Sequence, residues 1–338
     1  MCAVHKKKNV AIDDIEQALA RHKNIDLDAI MESRKDNLEP IAPKIKKVIF
    51  GQDQAVDFVV RPIQKALAGL NPKDKPYGAF LFTGPTGTGK TELAKQLAKE
   101  MKANFHRLDM SEFQEAHSVA KLIGSPAGYV GYDDGSILTK IINENPRTVL
   151  LLDEIEKAHP DVYKLFLQVM DYGKLTDSKG REINFRNVLL IMTSNAGINT
   201  KGKAISLNGQ EEIKVEKEMI NKIFSPEFRA RLTGNGFIEF KPLSQNVMEK
   251  IVVKYIEEIQ KERLDKLNIN LDVSNQAISF LAKLGLSKNL GARPVKDYIE
   301  NTVVDPLTDA VLFGKLKNLT KKKTVKCNVV NDEIQVDV

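Results

Sequence analysis

The sequence predicts an α/β protein: a parallel sheet flanked by helices, followed by a smaller, mainly helical α+β domain. Three observations predict it. From Gly78 onward, short continuous apolar runs alternate with helical stretches, which is the pattern of a parallel sheet covered on both faces. A glycine-rich turn separates the first of those runs from the first helix. After about Pro242 the alternation stops, and helical stretches with two short β-type runs follow.

The elements justify themselves in order. Residues 1–45 are polar, with Ile12, Ile15, Leu19 and Ala20 at helical spacing. Residues 1–40 are too few to bury a core and are expected to be a helical lead-in resembling the end of a preceding module. An amphipathic stretch runs from Asp53 to about Leu70 and ends in the breaker cluster Gly69-Leu70-Asn71-Pro72. Strands are expected at Ala79–Thr83, Asn104–Leu108, Thr148–Leu152 and Val188–Thr193. Helices are expected from about Lys90 to Met101 and near Pro160–Val169. The polar segment between Gly173 and Asn187 fits a hairpin or a loop. Beyond Pro242, residues 244–266, 274–285 and about 293–312 are expected to be helical, and Thr324–Val330 and Glu333–Val338 to be strands. The expected organisation is therefore a helical lead-in at 1–40, a large α/β domain at 41–242 and a smaller C-terminal domain at 243–338. The run Lys321-Lys322-Lys323 precedes an expected edge strand, where charge discourages edge pairing.

Composition bounds the function. The 338 residues are 42% hydrophobic and 28% charged, which is ordinary for a globular chain of about two domains. No apolar stretch reaches the ~18 residues of a membrane helix, and the N-terminal MCAVHKKKNVAIDD turns polar at once, so neither a membrane span nor an export leader is expected. The expected location is the cytoplasm, or the matrix or stroma of a bacterium-derived organelle. Cys2 and Cys327 are the only cysteines, which excludes a disulfide framework and a Cys-rich zinc site. The net charge of +6 is spread along the chain, with no aromatic-plus-arginine platform for stacking bases, so no nucleic-acid partner is expected.

The chemistry concentrates in three places. Gly84-Pro85-Thr86-Gly87-Thr88-Gly89-Lys90-Thr91, with Glu92 next, matches the phosphate-binding pattern G-x-x-x-x-G-K-[ST] between a strand and a helix. Its glycines let backbone N–H groups turn toward phosphate oxygens, and a helix N-terminus adds a positive dipole end. Lys90 is expected on the β- and γ-phosphates, and Thr91 on Mg²⁺. Val149-Leu150-Leu151-Leu152 ends in Asp153-Glu154, which puts two carboxylates where open α/β sheets bind ligands. Asp153 suits Mg²⁺, and Glu154 suits a general base on a water in line with the γ-phosphate. Asn195 follows the Val188–Thr193 run and can hydrogen-bond that water or the γ-phosphate.

From about residue 40 to the end, the chain resembles AAA+ ATPases of the Clp class, most closely the second ATPase module of the ClpA branch. The stretches that carry the resemblance include GPTGTGKTELAKQLA, LDMSEF, GYVGY, LLLDEIEKAHPDVY, FRNV, TSNAG, FSPEFRARL and LGARPV. The resemblance implies an ATP- and Mg²⁺-dependent protein unfoldase that works as a homo-hexamer and threads unfolded protein substrates through its pore. It implies that Val48, Ile49 and Phe50 pack around adenine. It implies that Arg231 is an arginine finger for a neighbouring subunit, and that Arg293 reaches from the small domain to the phosphates. Tyr129 and Val130 match the substrate-gripping pore loop.

Ile205, Ser206 and Leu207 correspond to the tripeptide that docks on a ClpP-type peptidase ring, with Ser206 where the family carries Gly. The insert holding them distinguishes the chain from ClpB-type disaggregases. After the finger, Arg231-Leu232-Thr233-Gly234-Asn235 lacks the acidic residue the family usually has next, and after the pore loop Tyr132-Asp133-Asp134-Gly135 is more acidic than usual. Two alternatives accompany this expectation: an isolated nucleotide-binding module that needs a missing ring to assemble, and an AAA+ remodeller that works without a peptidase. A nucleic-acid motor of the clamp-loader kind is the reading the composition disfavours.

Overall fold

Burial on both faces decides which apolar runs become the central strands. The computed structural model describes residues 41–125, 128, 135–196, 217–234, 237–287, 291–317 and 319–337. Strands β1 (Gly78–Thr83), β2 (Asn104–Asp109), β3 (Thr148–Asp153), β6 (Val188–Ser194) and β7 (Phe237–Glu239) form one parallel sheet in the order β2-β3-β6-β1-β7. The three inner strands are almost wholly buried, whereas β2, at an edge, mixes polar and apolar residues and stays half exposed. The chain leaves β1, passes outside two strand positions to β2, and returns through β3 and β6. The strand order thus reverses beside β1, and a crevice opens at the C-terminal ends of the strands there.

Alternation along each strand sorts two cores. On one face Phe80, Phe82, Leu151 and Ile191 pack against α1 (Ile41–Lys46), α2 (Asp53–Leu67) and α3 (Lys90–Glu100) through Ile45, Val59, Leu93 and Leu97. On the other, Leu81, Leu150 and Leu190 meet α4 (Ala116–Ile123), α5 (Ile137–Glu144), α6 (Pro160–Tyr172), α7 (Lys217–Ile223) and α8 (Pro226–Arg231), with Phe166, Phe224 and Phe228 among the residues filling that layer. Burying each such side chain contributes about 1.5–3 kcal/mol, so the two apolar faces fix the register of every strand. The segment from Gly173 to Asn187 is a hairpin of β4 (Lys174–Thr176) and β5 (Glu182–Asn184). Buried Asp177 holds it against α5, accepting hydrogen bonds from the Thr139 hydroxyl (3.0 Å), from the Arg181 Nε–H (2.8 Å) and from the backbone N–H of Arg181 (2.8 Å).

The C-terminal region has its own core, drawn from residues between Met248 and Ile334. Helix α9 (Gln245–Ile259) is capped by the Ser244 hydroxyl and runs on through a wider and then a tighter turn to Leu267. Strand β8 (Ile269–Val273) follows, then α10 (Asn275–Ser287), α11 (Arg293–Ile299), α12 (Asp305–Leu312) and the strands β9 (Lys323–Val330) and β10 (Glu333–Asp337).

One expectation is corrected here. The strand after the lysine run is not an edge strand: β9 is the middle of a three-stranded sheet, parallel to β8 and antiparallel to β10. It gains its second neighbour from β8, whose five residues alternate Ile-Asn-Leu-Asp-Val directly after a charged helix and give too short a pattern to stand out. Lys322 points to Asp265 (3.3 Å) instead of guarding an edge. The helix expected over 293–312 forms without a break, with a π-type turn at Glu300–Val304 inside it, and Pro306, which has no N–H to donate, lies in the first turn of α12. Cys327 lies buried on β9, and burial pushes its thiol up to about 11.

Two contacts seat the C-terminal region on the glycine-rich turn. Gly291 has φ +70°, and a Cβ there would lie 2.6 Å from the Thr86 carbonyl oxygen and 2.7 Å from Gly87, so main chain rests directly on main chain. The Ala292 N–H donates to the Gly87 carbonyl at 3.2 Å. A similar approach fixes Gly84, where φ is +138° and a Cβ would lie 2.4 Å from the Phe240 carbonyl oxygen. Gly84→Ala is therefore expected to destabilise the protein by about 2 kcal/mol or more in urea unfolding, from steric conflict and backbone strain together.

Candidate active site

Strand β1 delivers the chain into the glycine-rich turn, and Gly89, with φ +104°, caps α3. That conformation is open to glycine and lets the helix start at Lys90. The Lys90 side chain then folds back into the turn. Its ammonium donates to the carbonyl oxygens of Gly84 (2.6 Å) and Pro85 (2.9 Å) and to Asn195 Oδ1 (2.9 Å), so all three of its N–H groups are used. Lys90 is 8% exposed. Desolvation pulls its pKa from the ordinary 10.5 down to about 8, against the opposing pull of Asp153, Glu156 and Glu154.

The two carboxylates at the end of β3 take different roles. Asp153 accepts a hydrogen bond from the Thr193 hydroxyl on β6 and pairs through Oδ2 with Arg107 at 2.7 Å. Glu154 has φ +56° and ψ +50°, a left-handed conformation that costs a non-glycine residue on the order of 1 kcal/mol. The turn sends its side chain toward Asn195, whose Nδ2–H donates to Glu154 Oε1 at 3.3 Å, and its second oxygen pairs with Lys157. The Asn195 amide therefore bridges Lys90 and Glu154. Its own backbone N–H donates to Glu156 Oε1 at 3.0 Å.

These groups share one cleft of about 490 Å³ between the sheet ends and the C-terminal region. Val48, Ile49, Phe50, Thr86, Gly87, Thr88, Gly89, Lys90, Thr91, Glu92, Asp153, Glu154, Asn195 and Arg293 line it together. Gly84 and Pro85 enter through the carbonyls that hold Lys90. The apolar trio sits at one end, where α9 supplies Ile251 and Tyr255 and the Lys254 ammonium donates to the Val48 carbonyl at 3.3 Å. The Tyr255 hydroxyl donates to Glu300 at 2.5 Å, and Lys296 lies 4.7 Å from its ring centroid. Lys90, Lys95, Arg107, Arg293 and Lys296 also line the cleft, so apolar and basic groups together suit a ligand with a flat apolar part and a polyanionic tail.

Arg231 does not line this cleft. It lies at the end of α8, bound to Asp171 at 2.6 Å and to Glu227. Tyr129, Val130, Ile205, Ser206 and Leu207 lie outside the described residues, as do residues 1–40. Sequence reasoning assigned no role to three groups that shape the site. Arg107 pairs with Asp153. Gln52 is buried, and its amide ties the Thr88 carbonyl (3.3 Å) to Lys241. Thr193 binds both Asp153 and the Glu154 N–H. The strand register places Thr193 and Arg107 on the sheet face of Asp153, which no single strand's alternation reveals.

Thr91 and Asp153 offer a hydroxyl and a carboxylate oxygen in the same cleft, a donor set that suits a hard cation. No cluster of three acidic, His or Cys ligands occurs among the described residues. Two protein oxygens completed by substrate phosphates and water are what Mg²⁺ takes in such sites, so the residues fit that ion.

Two family models match the chain: "AAA domain (Cdc48 subfamily)" over residues 75–234, and "C-terminal, D2-small domain, of ClpB protein" over 243–326. The chain belongs to the AAA+ ATPases of the Clp class. It is 41% identical over 334 residues to a ClpA homolog protein of Fuscovulum blasticum, covering 98% of this chain and 41% of that protein. It is 42% identical over 321 residues to the ATP-dependent Clp protease ATP-binding subunit ClpE of Streptococcus pneumoniae, covering 93% and 42%. It is 39% identical over 332 residues to chaperone protein ClpB of Vibrio vulnificus, covering 97% and 38%. The chain thus spans about two fifths of the length of these Clp relatives. No helix among the described residues is long and apolar enough to cross a membrane.

The Lys90 shift gives the Clp-class site a pH signature. A bound polyphosphate favours the ammonium, so binding takes up a proton above about pH 8. ATP affinity, measured by titration calorimetry, is expected to weaken as pH rises from 8 to 10, with net proton uptake in buffers of different ionisation enthalpy. In the ligand-free protein the folded pKa lies below the unfolded one, so this group makes stability rise with pH between about 8 and 10.5. Lys90→Met is expected to remove that rise in urea unfolding followed across the same window.

Proposed function

We propose that this chain is the ATP-hydrolysing module of a protein unfoldase. The observation that carries the reading is the single hydrogen-bonded chain from Lys90 through Asn195 to Glu154, beside Asp153, in one cleft. In this reading adenine packs on Val48, Ile49 and Phe50, and the phosphates lie over the backbone from Gly84 to Thr91, with Glu92 at the cleft wall. Lys90 exchanges its carbonyl partners for phosphate oxygens. Asn195 carries two N–H groups and orients the attacking water beside Glu154, which takes the water's proton as the water oxygen bonds to the γ-phosphorus, the bond from that phosphorus to the β–γ bridging oxygen breaks, and ADP leaves with the electron pair. Thr91 and Asp153 would hold Mg²⁺, which offsets charge on the phosphate oxygens. Arg293, on the C-terminal region seated against Gly87, senses the phosphates from the lid side.

The position of Arg231 outside its own cleft supports a role in a neighbour's site, as a homo-hexamer would require. We place the domain boundary at 242/243. In such a ring Tyr129 and Val130 would grip unfolded polypeptide by non-directional contact, and Ile205, Ser206 and Leu207 would dock on a ClpP-type peptidase. A cytoplasmic setting, or the matrix or stroma of an organelle, accords with this work, and the reading involves no nucleic acid or membrane. Because the chain spans about two fifths of its relatives' length, a second reading has support: a module that binds nucleotide and needs further chain to form its ring. Light scattering with saturating ATP separates the two, since a ring is expected on the first and a monomer on the second.

Glu154→Gln is expected to keep ATP affinity within a few-fold and lower turnover by about 10²-fold or more, as loss of a general base does. Lys90→Ala is expected to lose ATP binding itself. Equal turnover by wild type and Glu154→Gln would refute the hydrolytic reading. Tyr129→Ala is expected to retain ATP turnover while degradation of a tagged substrate by an added peptidase ring falls, and unchanged degradation would remove the pore role.

A further inference from the structure

We propose that Arg107 is a positioning residue that holds the Asp153 carboxylate in the metal-free site and is displaced from it when Mg²⁺ enters with a nucleotide. The proposal deepens the reading of Asp153 as a Mg²⁺ ligand and rests on it.

The register of β2 against β3 sets Asp109 beside Asp153 and Arg107 beside Leu151. A strand repeats every two residues, so Arg107, Asp109 and Asp153 share the sheet face that carries α3. Two carboxylates thus stand side by side at neighbouring strand ends, where like charges oppose each other. The structure resolves the conflict unequally. Asp109 turns into its own chain, accepting from the Ser111 N–H (3.0 Å) and the Ser111 hydroxyl (2.6 Å). Asp153 gives Oδ1 to the Thr193 hydroxyl and Oδ2 to the Arg107 guanidinium at 2.7 Å, while Arg107 stays 3.9 Å from Asp109. The oxygen of Asp153 not bound to Thr193 is therefore occupied by a cation that belongs to the protein.

A guanidinium cannot shed its charge, and Mg²⁺ seeks the same hard oxygen. Both cations on one carboxylate oxygen repel each other, so occupancy by one weakens the other by the same factor. The Arg107 side chain is 46% exposed and lines the cleft, so it has room to leave. Once released it stays beside the incoming phosphates, where its charge offsets theirs. Arg107 would thus keep the acidic strand end neutralised and ordered while no nucleotide is present, and would tie metal entry to phosphate entry.

The test is a Mg²⁺ titration of the full chain with a fluorescent, non-hydrolysable ATP analogue, paired with melting temperature in EDTA and in Mg²⁺. Arg107→Gln is expected to reach half-saturation at about two- to five-fold lower Mg²⁺ than wild type, the range for a partly exposed ion pair. It is also expected to melt lower in EDTA and to regain that loss with Mg²⁺ and nucleotide. Arg107→Lys, which keeps the charge, is expected to titrate close to wild type. An Arg107→Gln midpoint equal to wild type, or shifted to higher Mg²⁺, overturns the proposal, because the arginine then does not compete with the metal. Asp153→Ala separates the two levels of argument. If it leaves the wild-type Mg²⁺ titration unchanged, the assignment of Asp153 fails and this proposal fails with it. If it abolishes Mg²⁺ dependence while Arg107→Gln changes nothing, only the role of Arg107 is overturned.

Discussion

One buried ammonium organises the site. Lys90 sits almost out of solvent at the start of α3, and a lone charge there would be untenable. It is kept by two carbonyls of its own turn and by the Asn195 amide, which come from opposite ends of the chain segment that builds the sheet. For those three acceptors to meet, β1 and β6 must be adjacent and in register, with Thr83 beside Ser194. The glycine-rich turn must also adopt backbone angles that a side chain would oppose. The sheet order and the turn are thus conditions for placing one positive charge, and the acidic end of β3 stands opposite it.

Much of this arrangement was legible in the sequence. The G-x-x-x-x-G-K-[ST] spacing and the Leu-Leu-Leu-Asp-Glu run each join a local pattern to a local structure, so Lys90, Thr91, Asp153 and Glu154 could be named from a few residues. Asn195 could be placed for the same reason, at the end of an unbroken apolar run. Arg107 and Gln52 gave no comparable signal. An arginine in the edge strand Asn-Phe-His-Arg-Leu-Asp resembles an ordinary half-exposed strand residue until the register sets it on the face of Asp153. Gln52 works through contacts 36 and 189 residues away, with Thr88 and Lys241, which no local window contains.

The fold shows the same division. Runs buried on both faces, such as Val188–Ser194, declared themselves by unbroken apolarity. The short strand Ile269–Val273 does not, because five alternating residues beside a charged helix look like its tail, and without it β9 looks like an edge strand. The polarity of the segment after α6 fits a hairpin and a loop equally. What settles it is Asp177, a buried carboxylate whose partners lie on two elements, and such an anchor is visible only once both elements are in place.

The contact at Gly291 has a mechanical meaning. Polypeptide backbone is far stiffer than a side chain that can swing between rotamers. A seat built from the Gly291 main chain on Thr86 and Gly87, with the Ala292 amide fastened to the Gly87 carbonyl, leaves no compliant layer in between. The glycine-rich turn is therefore coupled to the start of α11 by main chain alone, because Arg293 follows Ala292 directly.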